Sequence, residues 1–196
     1  MIQGQMLPNS LRGMAIKNIL DKYQIVTIVE IGTWKGMGST KCIIDSLKPG
    51  MKFISVESNL DFHKIAIKNL SKYSNKVKLL HGTIVNEEDL NIFVSDKELN
   101  PDQKEWLKDD ILNLKNCENI LSKIPSSIDF LLLDGGEFST YSEWLTLKDR
   151  TQVVALDDIS ELKSFKIHNE LLSNESYQLI FLTEEGNGFS IFKKIN

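Results

Sequence analysis

The sequence predicts an α/β protein: a doubly wound, mostly parallel sheet of seven strands closed by a C-terminal antiparallel β-hairpin. Three observations carry that expectation. Short β-branched runs, apolar on both faces, recur along the chain and end in an acid or a glycine, as strands buried inside a parallel sheet do. Segments with helical apolar spacing stand between them. The last two runs are joined only by Glu184-Glu185-Gly186-Asn187, a link too short for a parallel crossover.

Residues 1–8 carry no periodic pattern. Asn9 or Ser10 can cap a helix reaching about Asp21, with Leu11, Met14, Ala15, Ile19 and Leu20 on one side. The first strand, residues 25–31, feeds a turn holding Gly32, Gly36 and Gly38. A helix over residues 36–47 follows and is stopped by Lys48-Pro49-Gly50. Residues 51–57 form the second strand, which finishes in Glu57. Ser58 or Asn59 caps the next helix, whose stripe is Leu60, Phe62, Ile65, Ala66 and Leu70. His63 falls among polar residues there and is expected in solvent. Residues 77–82 are the third strand, and His81 near its end reads as structural.

Between Thr83 and Ser127 lie roughly 45 residues, where a crossover needs only about a dozen. This helical insertion, residues 84–127, has one capped start at Asn86-Glu87-Glu88-Asp89, with acids suited to a helix N-terminus. Asn100-Pro101-Asp102 starts a second helix, with proline in its first turn. It is expected to run to about Lys123, with Leu107, Ile111, Leu114, Cys117, Ile120 and Leu121 apolar. The insertion either roofs a substrate pocket or forms a dimer face. Strands over residues 128–134 and 153–158 both end in acids, with a short helix over 140–148 between them. Ser160 is expected to cap a helix ending near Leu172. Residues 177–183 and 188–194 make the hairpin.

The 196 residues fit a single domain, 1–196, with a helix and tail at 1–22. Net charge is −4 and charged residues make up 26%, with no basic patch, so no nucleic-acid partner is expected. Cys42 and Cys117 lie in apolar helical patterns and read as buried reduced thiols, with neither disulfide nor zinc spacing. No apolar run approaches the roughly 18 residues of a membrane span, and residues 1–6 lack signal-peptide features. Cytoplasm is the expected compartment.

The glycine turn says most about the ligand. Dinucleotide sites use G-x-G-x-x-G; here the spacing is G-x-x-x-G-x-G, with bulky Trp34 in the way. Glu30, just before Gly32, repels a phosphate, so a cationic ligand bearing an amino acid suits the turn better. Glu57 falls about 25 residues after the turn, placed to accept both hydroxyls of a ribose. Val29-Glu30-Ile31-Gly32-Thr33-Trp34-Lys35-Gly36 resembles motif I of the class I S-adenosylmethionine-dependent methyltransferases. That family has a Rossmann-like sheet whose seventh strand runs antiparallel, as the final hairpin requires. The resemblance implies S-adenosyl-L-methionine as cofactor. It implies contacts from Glu30, Gly32, Thr33, Trp34, Gly36 and Ser39 at the turn, Glu57 and Ser58 after the second strand, Gly82 and Thr83 after the third, and Asp134 after the fourth. The leading helix and tail either fold over the cofactor or are a frayed end on a packing helix.

Asp134, Asp157 and Asp158 end neighbouring predicted strands, and three acids meeting there resist ionising together. A hard cation relieves that conflict, Mg²⁺ first. Leu133-Asp134-Gly135-Gly136-Glu137-Phe138-Ser139-Thr140 and Leu156-Asp157-Asp158 resemble the macrocin-type sugar O-methyltransferases, which bind Mg²⁺ through three such acids. Gly136-Glu137 departs from that family's pattern and leaves the general base open. Asp134 is the first candidate, with Glu137 and Tyr141 behind it. The resemblance implies O-methylation of a small polyhydroxylated acceptor, a sugar or sugar-containing metabolite. A metal-independent enzyme acting on nitrogen or a macromolecule, and a non-catalytic partner subunit, are the alternatives. A homo-oligomer is left open.

Overall fold

A computed structural model describes residues 6–195. The parallel core of the sheet consists of β1 (Thr27–Ile31), β2 (Lys52–Glu57), β3 (Lys78–His81), β4 (Ile128–Leu133) and β5 (Thr151–Asp157). The hairpin strands β6 (Tyr177–Thr183) and β7 (Phe189–Lys194) complete a seven-stranded sheet in the order β3-β2-β1-β4-β5-β7-β6. Only β7 opposes its neighbours, pairing antiparallel with both β5 and β6. The expected architecture is therefore the observed one.

The helices are α1 (Leu11–Lys22), α2 (Ser39–Ser46), α3 (Leu60–Asn69), α4 (Glu87–Val94), α5 (Pro101–Lys115), α6 (Thr140–Leu147) and α7 (Leu162–Leu172). Alternate residues of each central strand feed two cores. Ile28, Phe130, Leu132 and Ala155 face Ile16, Leu20, Ile43 and Ile44 of α1 and α2. Val29, Leu131, Leu133 and Val154 face Leu90, Trp144, Ile167 and Leu171 of α4, α6 and α7. Covering both faces is why these strands show no polar alternation. It also leaves the carboxyl ends of β1, β2, β4 and β5 as the place where the sheet opens to a ligand.

Capping follows local chemistry. Ser10 accepts the amide of Gly13 at α1, and Asn59, rather than Ser58, caps α3. Asn86 and Asn100 each form a reciprocal capping box, closing α4 and α5 at their starts. Four expectations need correction. The second insertion helix ends at Lys115, not near Lys123. The chain then turns so that Asn119 bridges Thr83 beside β3, with a short 3₁₀ turn at Leu121–Lys123. Ile120 is thus buried by a strand-like pairing, not by a helix face. Ser160 does not cap α7; Glu161 holds that position, and the Ser160 hydroxyl donates to the Asn187 carbonyl of the hairpin link. His63 is buried instead of solvated, packed against His81 at 5.5 Å between ring centres, and burial followed by that neighbour lowers its pKa. Cys42 is buried as expected, whereas Cys117 lies beyond α5 and is half-buried. Residues 1–5 of the expected N-terminal tail lie outside the described residues. Among the described residues, no helix is long and apolar enough to cross a membrane.

The glycine that joins β3 to the insertion is sterically required. Gly82 has φ +153°, and a Cβ there would come 2.7 Å from both the Glu118 carbonyl and the Ile120 side chain. Gly50, at φ +91°, has open space around it. Gly82→Ala should therefore lower unfolding free energy by about 2–3 kcal/mol, from strain plus lost packing. Gly50→Ala should cost only about 1 kcal/mol of backbone strain. Urea denaturation of the two variants beside the parent checks the contrast.

Candidate active site

The residues expected at the first glycine turn form a cleft floor. Gly32, at φ +101°, accepts no side chain, because a Cβ would run into the Asp134 carbonyl. Its amide and that of Thr33 donate to the Val56 carbonyl, which ties the turn to the end of β2. Trp34 stands in the left-handed region at φ +48°, a strained position for a bulky residue. Its ring meets Phe62 of α3 edge-on, and the Lys35 ammonium lies 4.6 Å from its centre. Two cavities share Gly32, Trp34, Asp134 and Gly135 and so form one cleft. One end reaches Glu57, Ser58, Gly82 and Thr83; the other reaches Thr33, Ser39, Asp157 and Asp158.

Two expected contact residues lie off this lining. Gly36 packs under the turn against Leu70 and Ala66 of the α3 region. Glu30 is wholly buried, and its Oε2 accepts from Thr40 at 2.7 Å and Ser55 at 2.5 Å. Ser55 also bonds Thr33. Glu30 therefore braces β2 and the start of α2 from below, and burial raises its pKa to about 7 despite those hydroxyl bonds.

Glu57 is held in the cleft by backbone. Its Oε2 accepts from the Trp34 amide at 2.7 Å and its Oε1 from the Asn59 amide at 2.8 Å. Burial outweighs these bonds and raises its pKa to about 7. The insertion completes this end: α5 brings Asp110, Asn113 and Leu114 onto the lining. It thus covers a pocket of its own domain. Glu143 of α6 also reaches the lining; burial drives its carboxyl to about 8, and its Oε2 has no partner among the described residues. Asp110, raised by burial to about 6, accepts the Phe138 amide at 3.3 Å.

At the other end, oxygens of Asp134, Asp157 and Asp158 gather within 4.8 Å of one another, as expected. Two basic residues that were not anticipated meet them. Lys163 of α7, 6% exposed, places its Nζ 2.9 Å from Asp134 Oδ1 and 2.9 Å from Asp158 Oδ2. Arg12 of α1 donates to Asp157 Oδ1 at 2.7 Å and also to the Glu185 carbonyl in the hairpin link. Burial alone would lower the Lys163 pKa, but the three carboxylates more than offset it and hold the ammonium charged. Burial and the nearby Asp134 push Asp157 upward. Asp158 sits at φ +54°, a second strained residue at the cleft.

An all-carboxylate donor set suits a hard divalent ion in kind. In position, the Lys163 ammonium already meets one oxygen of Asp134 and one of Asp158, so a divalent ion among these acids would sit against a positive charge, while Asp158 Oδ1 is buried without a partner among the described residues. A periodicity signal existed for both cations. Lys163, Ile167 and Leu171 share one helical face, as do Arg12, Ile16 and Leu20, so each basic residue sits on a buried stripe.

No protein-family model matches the chain, and no curated protein matches it. Solved structures match in fold. The chain is similar to the O-methyltransferase TomG from Streptomyces achromogenes, solved with SAM, at 14% identity and TM-score 0.63, over 94% of this chain and 80% of that one. It is similar to the O-methyltransferase from Bacillus cereus solved with SAH, at 13% identity and TM-score 0.61, over 94% and 80%. The SAH-bound methyltransferase PaMTH1 from Podospora anserina matches at 13% identity and TM-score 0.63, over 95% and 79%. At these identities the likeness is one of fold.

The buried acids set a pH dependence. Glu30 and Glu57 move from 4.5 to about 7, and Glu143 from 4.5 to about 8, all through burial first. Below 4.5 they are protonated in both folded and unfolded chains. Above it the unfolded chain ionises first, so stability falls as pH rises through the folded values. Urea midpoints should accordingly decline from pH 5 to pH 8, and Glu143→Gln should flatten the upper part of that decline.

Proposed function

We propose that this chain transfers a methyl group from S-adenosyl-L-methionine to a hydroxyl of a small polyhydroxylated acceptor, a sugar or sugar-containing metabolite. The observation that carries the reading is Glu57. It is a carboxylate fixed by two backbone amides at the end of β2, facing the cleft one strand from the glycine turn. That placement suits two ribose hydroxyls. The fold shared with proteins solved in complex with SAM or SAH supports it. So does the excess of acids along the cleft, which favours a cationic ligand.

The donor's sulfonium supplies an electrophilic methyl group. The protein's task is then to align an acceptor oxygen with it and to take the hydroxyl proton, mostly a matter of positioning. Asp134 lies where the two ends of the cleft meet and is the residue assigned to receive that proton. Asp134 also carries bonds, from Lys163 and Ser39, but the other two candidates lie off the cleft. Glu137 accepts the Lys163 backbone amide at 3.2 Å, and the Tyr141 hydroxyl donates to Glu170 at 2.9 Å. Neither lines the cleft. No step here passes through Mg²⁺ at Asp134, Asp157 and Asp158, since Lys163 stands among those oxygens.

Calorimetry with S-adenosylhomocysteine tests the donor site. The parent chain should bind one equivalent, and Glu57→Gln should weaken binding by about 10–100-fold, the worth of charge-assisted hydrogen bonds. Saturable heat must be absent for the reading to fail. A screen of hydroxylated acceptors with labelled donor then tests the acceptor class, with labelled sugar-type products as the expected result.

A further inference from the structure

We propose that the Lys163 ammonium occupies the cation position of the Asp134-Asp157-Asp158 triad permanently, so that the site works without a divalent metal and presents an N–H, in place of a metal ion, to the acceptor oxygen. The geometry is specific. Nζ contacts Asp134 and Asp158 at equal distances of 2.9 Å, and Arg12 neutralises Asp157 at 2.7 Å. Three carboxylates therefore face two built-in cations, −3 + 2 = −1. A monocationic sulfonium balances that single remaining charge, whereas a bound divalent ion would leave the cluster positive before any donor arrived.

The lysine is locked in place by more than charge. It stands on the buried face of α7 with Ile167 and Leu171, and its backbone amide donates to Glu137. Moving it away would strand an ammonium in an apolar core or require α7 to shift, and an unpaired buried charge costs several kcal/mol. An ammonium has three N–H donors. Asp134 and Asp158 account for two, and Lys163 is among the residues lining the cleft with Gly135 and Ser39, which leaves the third for a ligand oxygen. As a donor to an oxygen gaining negative charge, it supplies the electrostatic stabilisation that a metal would otherwise give. This last role, alone, rests on the methyl-transfer reading.

Manganese titration followed by electron paramagnetic resonance decides the matter on the full chain. The free Mn²⁺ signal should rise without loss to the parent protein up to about 1 mM, a ceiling corresponding to roughly 4 kcal/mol of binding. Lys163→Ala, shown folded by its melting transition, should bind one Mn²⁺ at least about tenfold more tightly than the parent. Stoichiometric Mn²⁺ binding by the parent below that ceiling overturns the proposal whether or not the variant folds. So does a folded Lys163→Ala that gains no metal affinity, because the lysine would then not be what excludes the ion. Calorimetry with S-adenosylhomocysteine on the same samples reports separately. Absent heat with Mn²⁺ still unbound removes the methyl-transfer reading and leaves Lys163 as the resident cation.

Discussion

Crowding of carboxylates at one edge of the sheet is the constraint to which the rest of this structure answers. Glu30 is the penultimate residue of β1; β2 and β5 end in Glu57 and Asp157, and Asp134 follows β4 directly. A buried carboxylate needs a compensating partner, and each of these receives a different kind. Hydroxyls of Thr40 and Ser55 serve Glu30. Backbone amides serve Glu57. Only the third group, around Asp134, Asp157 and Asp158, is answered by full positive charges, from Lys163 and Arg12. The order runs from neutral to charged partners across the sheet, and it matches how many acids meet at each place.

Local backbone strain follows the same edge. Trp34 and Asp158 are the two non-glycine residues with positive φ among the described residues, and both line the cleft. Strain of this kind persists only where surrounding contacts outweigh it. At Trp34 the hydrogen bond from its amide to Glu57 and the edge-on contact with Phe62 supply those contacts; at Asp158 the bond to Lys163 does. Each strained residue is thus held by a charged or aromatic neighbour belonging to the site itself.

Much of this was legible from spacing alone. Unbroken apolar runs such as Phe130 to Leu133 mark strands covered on both sides, and the hairpin follows from a link of a few polar residues. The convergence of the three aspartates was legible because strand ends of a parallel sheet lie together. What filled the space among them was only half legible: helical periodicity puts Lys163 and Arg12 on buried faces, but no local pattern says what those faces meet. His63 misled because its sequence neighbours are polar while its spatial neighbour is His81. The end of α5 misled because Ile120 and Leu121 continue its apolar spacing, yet the chain has already turned back to pair with Thr83.

Arg12 joins the first helix to both the fifth strand and the closing hairpin, across 145 and 173 residues of chain. Contacts so remote in sequence carry a large loop-closure entropy and form late. During synthesis the guanidinium of α1 must therefore wait for these partners until Asp157 and Glu185 have left the ribosome. Assembly of the acidic edge is in this way tied to late-made segments: a product cut short before Asp157 carries Arg12 with neither of these partners, whatever the state of its earlier strands.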